Sequence, residues 1–99
     1  MAVTTLQAFD RERVTINGAT GLTAATYAPS GEKAAVRALI TAETAQMRAD
    51  WDGSTPTSGA GTLLNIGDPL VLDSYSDIVN FKAIKTGATN GALEVVYYR

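Results

Sequence analysis

The chain has neither cysteine nor histidine. Without cysteine there is no disulfide, no thiolate nucleophile and no zinc ribbon. Without histidine there is no Ser-His-Asp or Cys-His pair, no imidazole metal ligand and no side chain that titrates unperturbed near neutral pH. The sequence also lacks any apolar run long enough to span a bilayer. Its start, Met1 to Gln7, has neither the charged region nor the long apolar region of a signal peptide, so synthesis in a cytoplasm is expected. Eight basic residues face ten acidic ones, and no basic stripe is present. Nucleic acid and an anionic membrane surface are therefore not expected partners.

What is present fits one globular domain. The chain has 99 residues, 45% hydrophobic and 18% charged, which suits a packed domain and not a disordered one. Turn signals recur at Asn17-Gly18, Gly21, Pro29-Ser30-Gly31, Asp52-Gly53, Gly59-Ala60-Gly61, Gly67-Asp68-Pro69, Gly87 and Asn90-Gly91. Such spacing predicts short antiparallel strands. Thirteen threonines and seven valines suit pleated, half-buried surfaces.

The last segment alternates most clearly. Leu93, Val95 and Tyr97 take one face, with Glu94, Val96 and Tyr98 on the other. Ile78 to Thr86 is its expected partner, joined through a hairpin loop over residues 87–91, with Ile84 out of phase. Met47, Ala49 and Trp51 share a face, and Gly61 to Ile66 and Leu70 to Leu72 read as two further strands. Arg13 to Ile16 and Leu22 to Tyr27 are weaker candidates. Glu32 to Arg48 fits two patterns. Its alanines and the Val36, Leu39, Ile40 and Met47 stripe favour a helix, although Glu43 interrupts that face. As a strand, Ala34, Val36, Ala38, Ile40 and Ala42 would face inward.

Several patterns invite a chemical reading. Ser30-Gly31-Glu32-Lys33 fits S-x-x-K and Lys85-Thr86-Gly87 fits K-T-G, the order found in serine penicillin-recognising enzymes. Ile78, however, replaces the asparagine after Ser76-Asp77, and a chain this short cannot build the cleft between two subdomains that this chemistry needs. Pro29-Ser30-Gly31 reads as a turn. Asp50 and Asp52 could pair two carboxylates, but Ser54-Thr55-Pro56-Thr57-Ser58 follows without the glutamate that closes a calcium loop. An Asp-Gly turn is the simpler expectation. Gly59-Ala60-Gly61 lacks the third glycine and the βαβ unit of a dinucleotide loop. No catalytic, cofactor-binding or metal-binding residue is assigned, and no enzymatic activity is expected.

Most aromatic rings should lie in the core. Neighbours Tyr97 and Tyr98 cannot face the same way on a regular strand. Trp51, Tyr75 and Tyr98 are the candidate interface residues, since an outward ring can anchor a partner.

The stretch Ala38 to Arg48, followed by Asp52-Gly53-Ser54-Thr55-Pro56-Thr57, resembles small structural proteins of tailed bacteriophages. So do Gly61 to Asp68, Asn80-Phe81-Lys82-Ala83-Ile84 and Leu93 to Tyr98. Ser54 departs from the Asp-Gly-Thr-Pro spacing of that pattern, and the first thirty residues match less clearly. The resemblance implies strands over residues 32–48. It also implies an all-β fold, a single antiparallel β-sandwich of seven or eight short strands, with a jelly roll as one such arrangement. The expected organisation is an N-terminal arm over residues 1–12 and a sandwich over 13–99. The implied role is a virion protein, a capsid decoration or cement protein. Its expected partners are the major capsid protein, further copies of itself, or both. A tail component and a carbohydrate-binding surface module, with Trp51 or Tyr75 as its platform, are the alternatives.

Overall fold

The computed structural model describes residues 5–99. Eight strands and two short helices follow in the order β1 (Ala8–Ile16), β2 (Thr20–Gly21), α1 (Ala24–Tyr27), β3 (Arg37–Glu43), β4 (Met47–Asp50), β5 (Thr62–Leu64), β6 (Pro69–Leu72), α2 (Tyr75–Asn80), β7 (Lys82–Lys85) and β8 (Gly91–Tyr98). They form two four-stranded antiparallel sheets, β1-β8-β3-β6 and β2-β7-β4-β5. Sequential strands fall in opposite sheets at most connections. This interleaving is the eight-stranded jelly roll, and it meets the expectation of an all-β sandwich.

The core follows from period-two alternation. In β8, Leu93, Val95 and Tyr97 point inward and are fully buried. In β3 the inward set is Ala38, Ile40 and Ala42, and in β4 it is Met47 and Ala49. The small alanines leave room for the large side chains Tyr97, Phe81 and Met47, all at 0% exposure. Gly91 has no side chain because Met47 fills its place: a Cβ there would lie 2.3 Å from the Met47 sulfur.

The pattern over residues 32–48 resolves as strands. Glu43, which would break a helical apolar face, sits on the outer face of β3. The alternation is shorter than expected, since Ala34 and Val36 precede β3 and Val36 is exposed.

Four local expectations are corrected. Residues 8–12 form no arm: β1 begins at Ala8, and Gln7 already exchanges backbone hydrogen bonds with Arg99 at 3.1 and 3.0 Å. Within β1, Glu12 turns inward to accept from Tyr97, while Arg11 and Arg13 point out. Residues 1–4 of that expected arm lie outside the described residues. The partner of β8 is not the 78–86 segment. β8 sits between β1 and β3, and β7 belongs to the other sheet, so residues 87–91 cross between sheets instead of closing a hairpin. Ile78 lies in α2, whose first turn is capped by Ser74 accepting from the Asp77 amide at 3.1 Å. Tyr27, expected at the end of a strand, ends α1.

Candidate interaction surface

The outer face of the β1-β8-β3-β6 sheet is ordered in rows by register. One row carries charge. Arg13 donates to Glu94 at 2.6 Å and reaches Glu43 at 3.4 Å, bridging β1, β8 and β3. These two carboxylates, Glu94 first, hold the Arg13 guanidinium pKa above its ordinary value. Nearer the other end, Arg37 pairs with Asp73 at 2.6 Å. Between the two clamps runs the row Arg11, Val96, Leu39, Val71, which is aliphatic across three strands. Its last member, Val71 on edge strand β6, is 51% exposed.

The chain beyond β6 adds to this apolar margin. Tyr75 and Val79 are four residues apart in α2 and so share one helical face. Each is 45% exposed. Val36 precedes Arg37, whose ion pair with Asp73 joins the start of β3 to the end of β6. Four of the six exposed large hydrophobics, Val36, Val71, Tyr75 and Val79, therefore belong to this β3-β6-α2 corner. The other two, Leu63 and Ile66, lie on β5 and the turn after it.

The three candidate aromatics do not form one patch. Tyr98 is half-buried on the outer face, between Ala8 and Arg37. Tyr75 stands at the corner, with its ring edge-on to Tyr27 at 6.2 Å. Trp51 follows β4 in the opposite sheet, where it is half-buried and packs on the core. Val71, Val79, Val36 and Ile66 were not legible as surface anchors. For Val71 the signal was present: once Leu72 is inward, a period of two turns Val71 outward.

The chemical patterns do not converge. Ser30 lies in the connection between α1 and β3, at the end of the sandwich where Arg37 meets Tyr98. Lys85 ends β7 at the opposite end, beside Met47, and its ammonium points to the Ala88 carbonyl and the Asn90 side chain. Asp50 ends β4 opposite Lys82, whereas Asp52 accepts from the Ser54 amide at 2.9 Å in a tight turn with Gly53 at φ +97°. The Ser54 hydrogen bonds hold the Asp52 carboxyl pKa below its ordinary value. Gly59 and Gly61 flank a small loop tied to β4 by Arg48, which donates to the Gly61 carbonyl at 2.9 Å. Among the described residues no cluster of three acidic side chains is placed to hold a metal ion, and no helix is long and apolar enough to cross a membrane.

A hollow of about 340 Å³ opens beside the register shift in β1, lined by Ala8, Phe9, Asp10, Arg11 and Val96. Fold and surface together define a small jelly roll with an apolar corner and a shallow hollow on the opposite margin of the same sheet. No known family, curated protein or solved structure matches the chain.

Proposed function

We propose that this chain is a structural protein of a tailed-bacteriophage virion, a decoration or cement protein that attaches to the outside of the capsid and performs no bond-making. The apolar corner formed by Val71, Tyr75, Val79 and Val36 carries the reading. Clustered exposed hydrophobics on a small domain mark a contact surface. The resemblance of residues 38–98 to phage structural proteins supplies the partner. A jelly roll serves many functions, so the fold alone does not choose among them.

The mechanism is adhesion. A standard contact covers about 800 Å² on each partner. Many copies bridging neighbouring capsid subunits act together, so each contact can be weak while the shell resists pressure.

The experiment is electron microscopy of virions in which the chain is detected by mass spectrometry, with Val71→Asp/Val79→Asp particles alongside. Density on the head lattice that is lost in the double variant is the expected result. Density on the tail would move the protein to the tail, and absence from particles would overturn the reading. Both substitutions are at exposed positions, so unchanged thermal melting of the isolated variant separates lost attachment from lost folding.

A further inference from the structure

Two connections of the sandwich carry the same dipeptide. Asn17-Gly18 follows β1, and Asn90-Gly91 leads into β8. An asparagine before glycine holds an electrophile and a nucleophile side by side. The glycine main-chain nitrogen, once it sheds its proton, attacks the asparagine side-chain carbonyl carbon. Ammonia leaves and a five-membered succinimide remains. Water then opens that ring at either carbonyl, giving aspartate or isoaspartate. Glycine suits the attacking side because no side chain crowds its nitrogen. The other two asparagines, Asn65 and Asn80, precede the bulky Ile66 and Phe81. Asp52-Gly53 can close the same ring, but an ionised carboxylate is a poor electrophile, and this one is already held by the Ser54 amide at 2.9 Å.

The ring closes only if the peptide plane between the two residues rotates out of the setting of an extended strand. The structure separates the two pairs on this point. Gly91 is buried and opens β8, in register with Ile16 of β1. The Met47 side chain fills the place where a Cβ would stand. Rotation there takes the first residue of a central strand out of its ladder. The Asn90 side chain is also held, accepting from the Lys85 ammonium at 3.2 Å.

Asn17 and Gly18 are both exposed, in the bend between β1 and β2, and neither belongs to a ladder. A Cβ placed on Gly18 would meet nothing within 4 Å, so its surroundings leave room for the rotation. The backbone bond that the rotation disturbs runs from the Lys85 amide to the Asn17 carbonyl at 3.3 Å, longer than an ordinary amide hydrogen bond. Local opening of this kind is easiest in exposed connections and hardest in core strands.

We infer that Asn17 is a site of spontaneous deamidation in the folded protein, while Asn90 is shielded until the start of β8 opens. The only co-reactant is water, and the by-product is ammonia. Each event makes the chain one unit more negative than its net charge of −2. The isoaspartate product also lengthens the main chain by one carbon between β1 and β2. The strand that follows is the two-residue β2, held to β7 by the pairs Thr20–Ala83 and Gly21–Lys82, so this edge of the second sheet takes the strain. The site lies apart from the β3-β6-α2 corner and does not depend on attachment to a virion.

The test uses the wild-type chain at mildly alkaline pH, in buffer and in guanidinium chloride strong enough to unfold it. Peptide mass spectrometry over time gives the converted fraction at Asn17 and Asn90, and isoaspartyl methyltransferase labelling shows the isoaspartate. In buffer, Asn17 should convert at least about tenfold faster than Asn90, and in denaturant the two rates should converge. Both aspartate and isoaspartate should form at residue 17. Gly18→Ala should slow that conversion several-fold with unchanged thermal melting, since its added methyl group enters open space at a backbone setting free of positive φ. Equal rates in buffer, faster conversion of Asn90, a gap that persists in denaturant, or aspartate without isoaspartate at residue 17 would overturn the inference.

Discussion

Replacing Tyr97 by phenylalanine removes a single oxygen from the middle of the sandwich and leaves the ring in place. The ring is fully buried against Phe9 and Tyr27, at centroid distances of 6.5 and 6.1 Å, so packing is nearly conserved. What is lost is the phenol's donation to Glu12 at 2.5 Å. That carboxylate also accepts from the Thr23 hydroxyl at 2.6 Å and the Thr23 amide at 3.1 Å, which draws the start of α1 onto β1. A hydrogen bond to a charged group contributes about 1.5–3 kcal/mol. Glu12 is only half-buried and water can partly replace the lost donor, so the low end, about 1.5 kcal/mol, applies here. For a domain near 100 residues this lowers the melting temperature by about 6–8 °C. A double-mutant cycle with Glu12→Gln should return a coupling of about 1 kcal/mol. Alkali gives a second readout. Burial first, and then the bond to Glu12, raise the Tyr97 phenol pKa well above its ordinary 10.0. The folded state therefore holds the proton more tightly than the unfolded chain does. That stability is present in full below pH 10 and is lost as pH climbs from there toward the raised folded value. Wild type should destabilise more steeply above pH 10 than Tyr97→Phe. Melting of Tyr97→Phe within about 1 °C of wild type, together with an unchanged alkaline limb, would refute the reasoning.

Other perturbations have equally definite outcomes. Trp51→Ala should cost about 1.5–2.5 kcal/mol in denaturant titration, roughly half the full-burial value, because the ring is half-buried. A negligible shift would mean that the ring faces water and could serve a ligand. Gly91→Ala places a methyl group against the Met47 side chain in a filled core and should cost about 1–3 kcal/mol. The same substitution in a Met47→Val background should cost less, and strict additivity would contradict the packing given for this position.

The sequence made the strands legible wherever alternation was strong and local. In β8, β3 and β4 the inward residues are those that a period of two selects. Pairing was not legible, because it depends on partners far along the chain. Residues 87–91 carry the glycine and asparagine of a hairpin loop but cross from one sheet to the other. The α2 helix was hidden behind Ile78, Val79 and Phe81, which read as a strand, although Ser74 three residues before Asp77 was a capping signal in plain view. Ile84, out of phase with Phe81 and Ala83, marks no bulge: β7 pairs with β4 in continuous register, and plain alternation turns Ala83 inward and Ile84 to the outer face beside Arg48. The surface was harder to read. Of the three aromatic candidates Trp51, Tyr75 and Tyr98, only Tyr75 belongs to the exposed corner. Aliphatic anchors such as Val71 and Ile66 are indistinguishable by type from core residues until the inward phase of the neighbouring strand is known.

Thr44 separates global stability from local order in one substitution. It carries φ +75°, the only positive value among described residues other than glycine, and its neighbours close a three-residue turn through the Ala45 amide and the Glu43 carbonyl at 2.8 Å. A β-branched residue is poorly suited to that region, and such strain costs about 1–3 kcal/mol. Thr44→Gly relieves it, while the added freedom of glycine in the unfolded chain takes back about 0.5–1 kcal/mol. The net expectation is a gain of about 1 kcal/mol, a melting temperature higher by about 4 °C. The strained turn leads directly into Gln46, which braces Asn65 and so the turn bearing Ile66. If the strain serves to hold that brace, Thr44→Gly should stabilise the fold yet speed hydrogen exchange at the Asp68 amide, which closes the braced turn. A variant that melts lower, or that melts higher with unchanged exchange at Asp68, would show that the Thr44 turn has no part in holding Ile66.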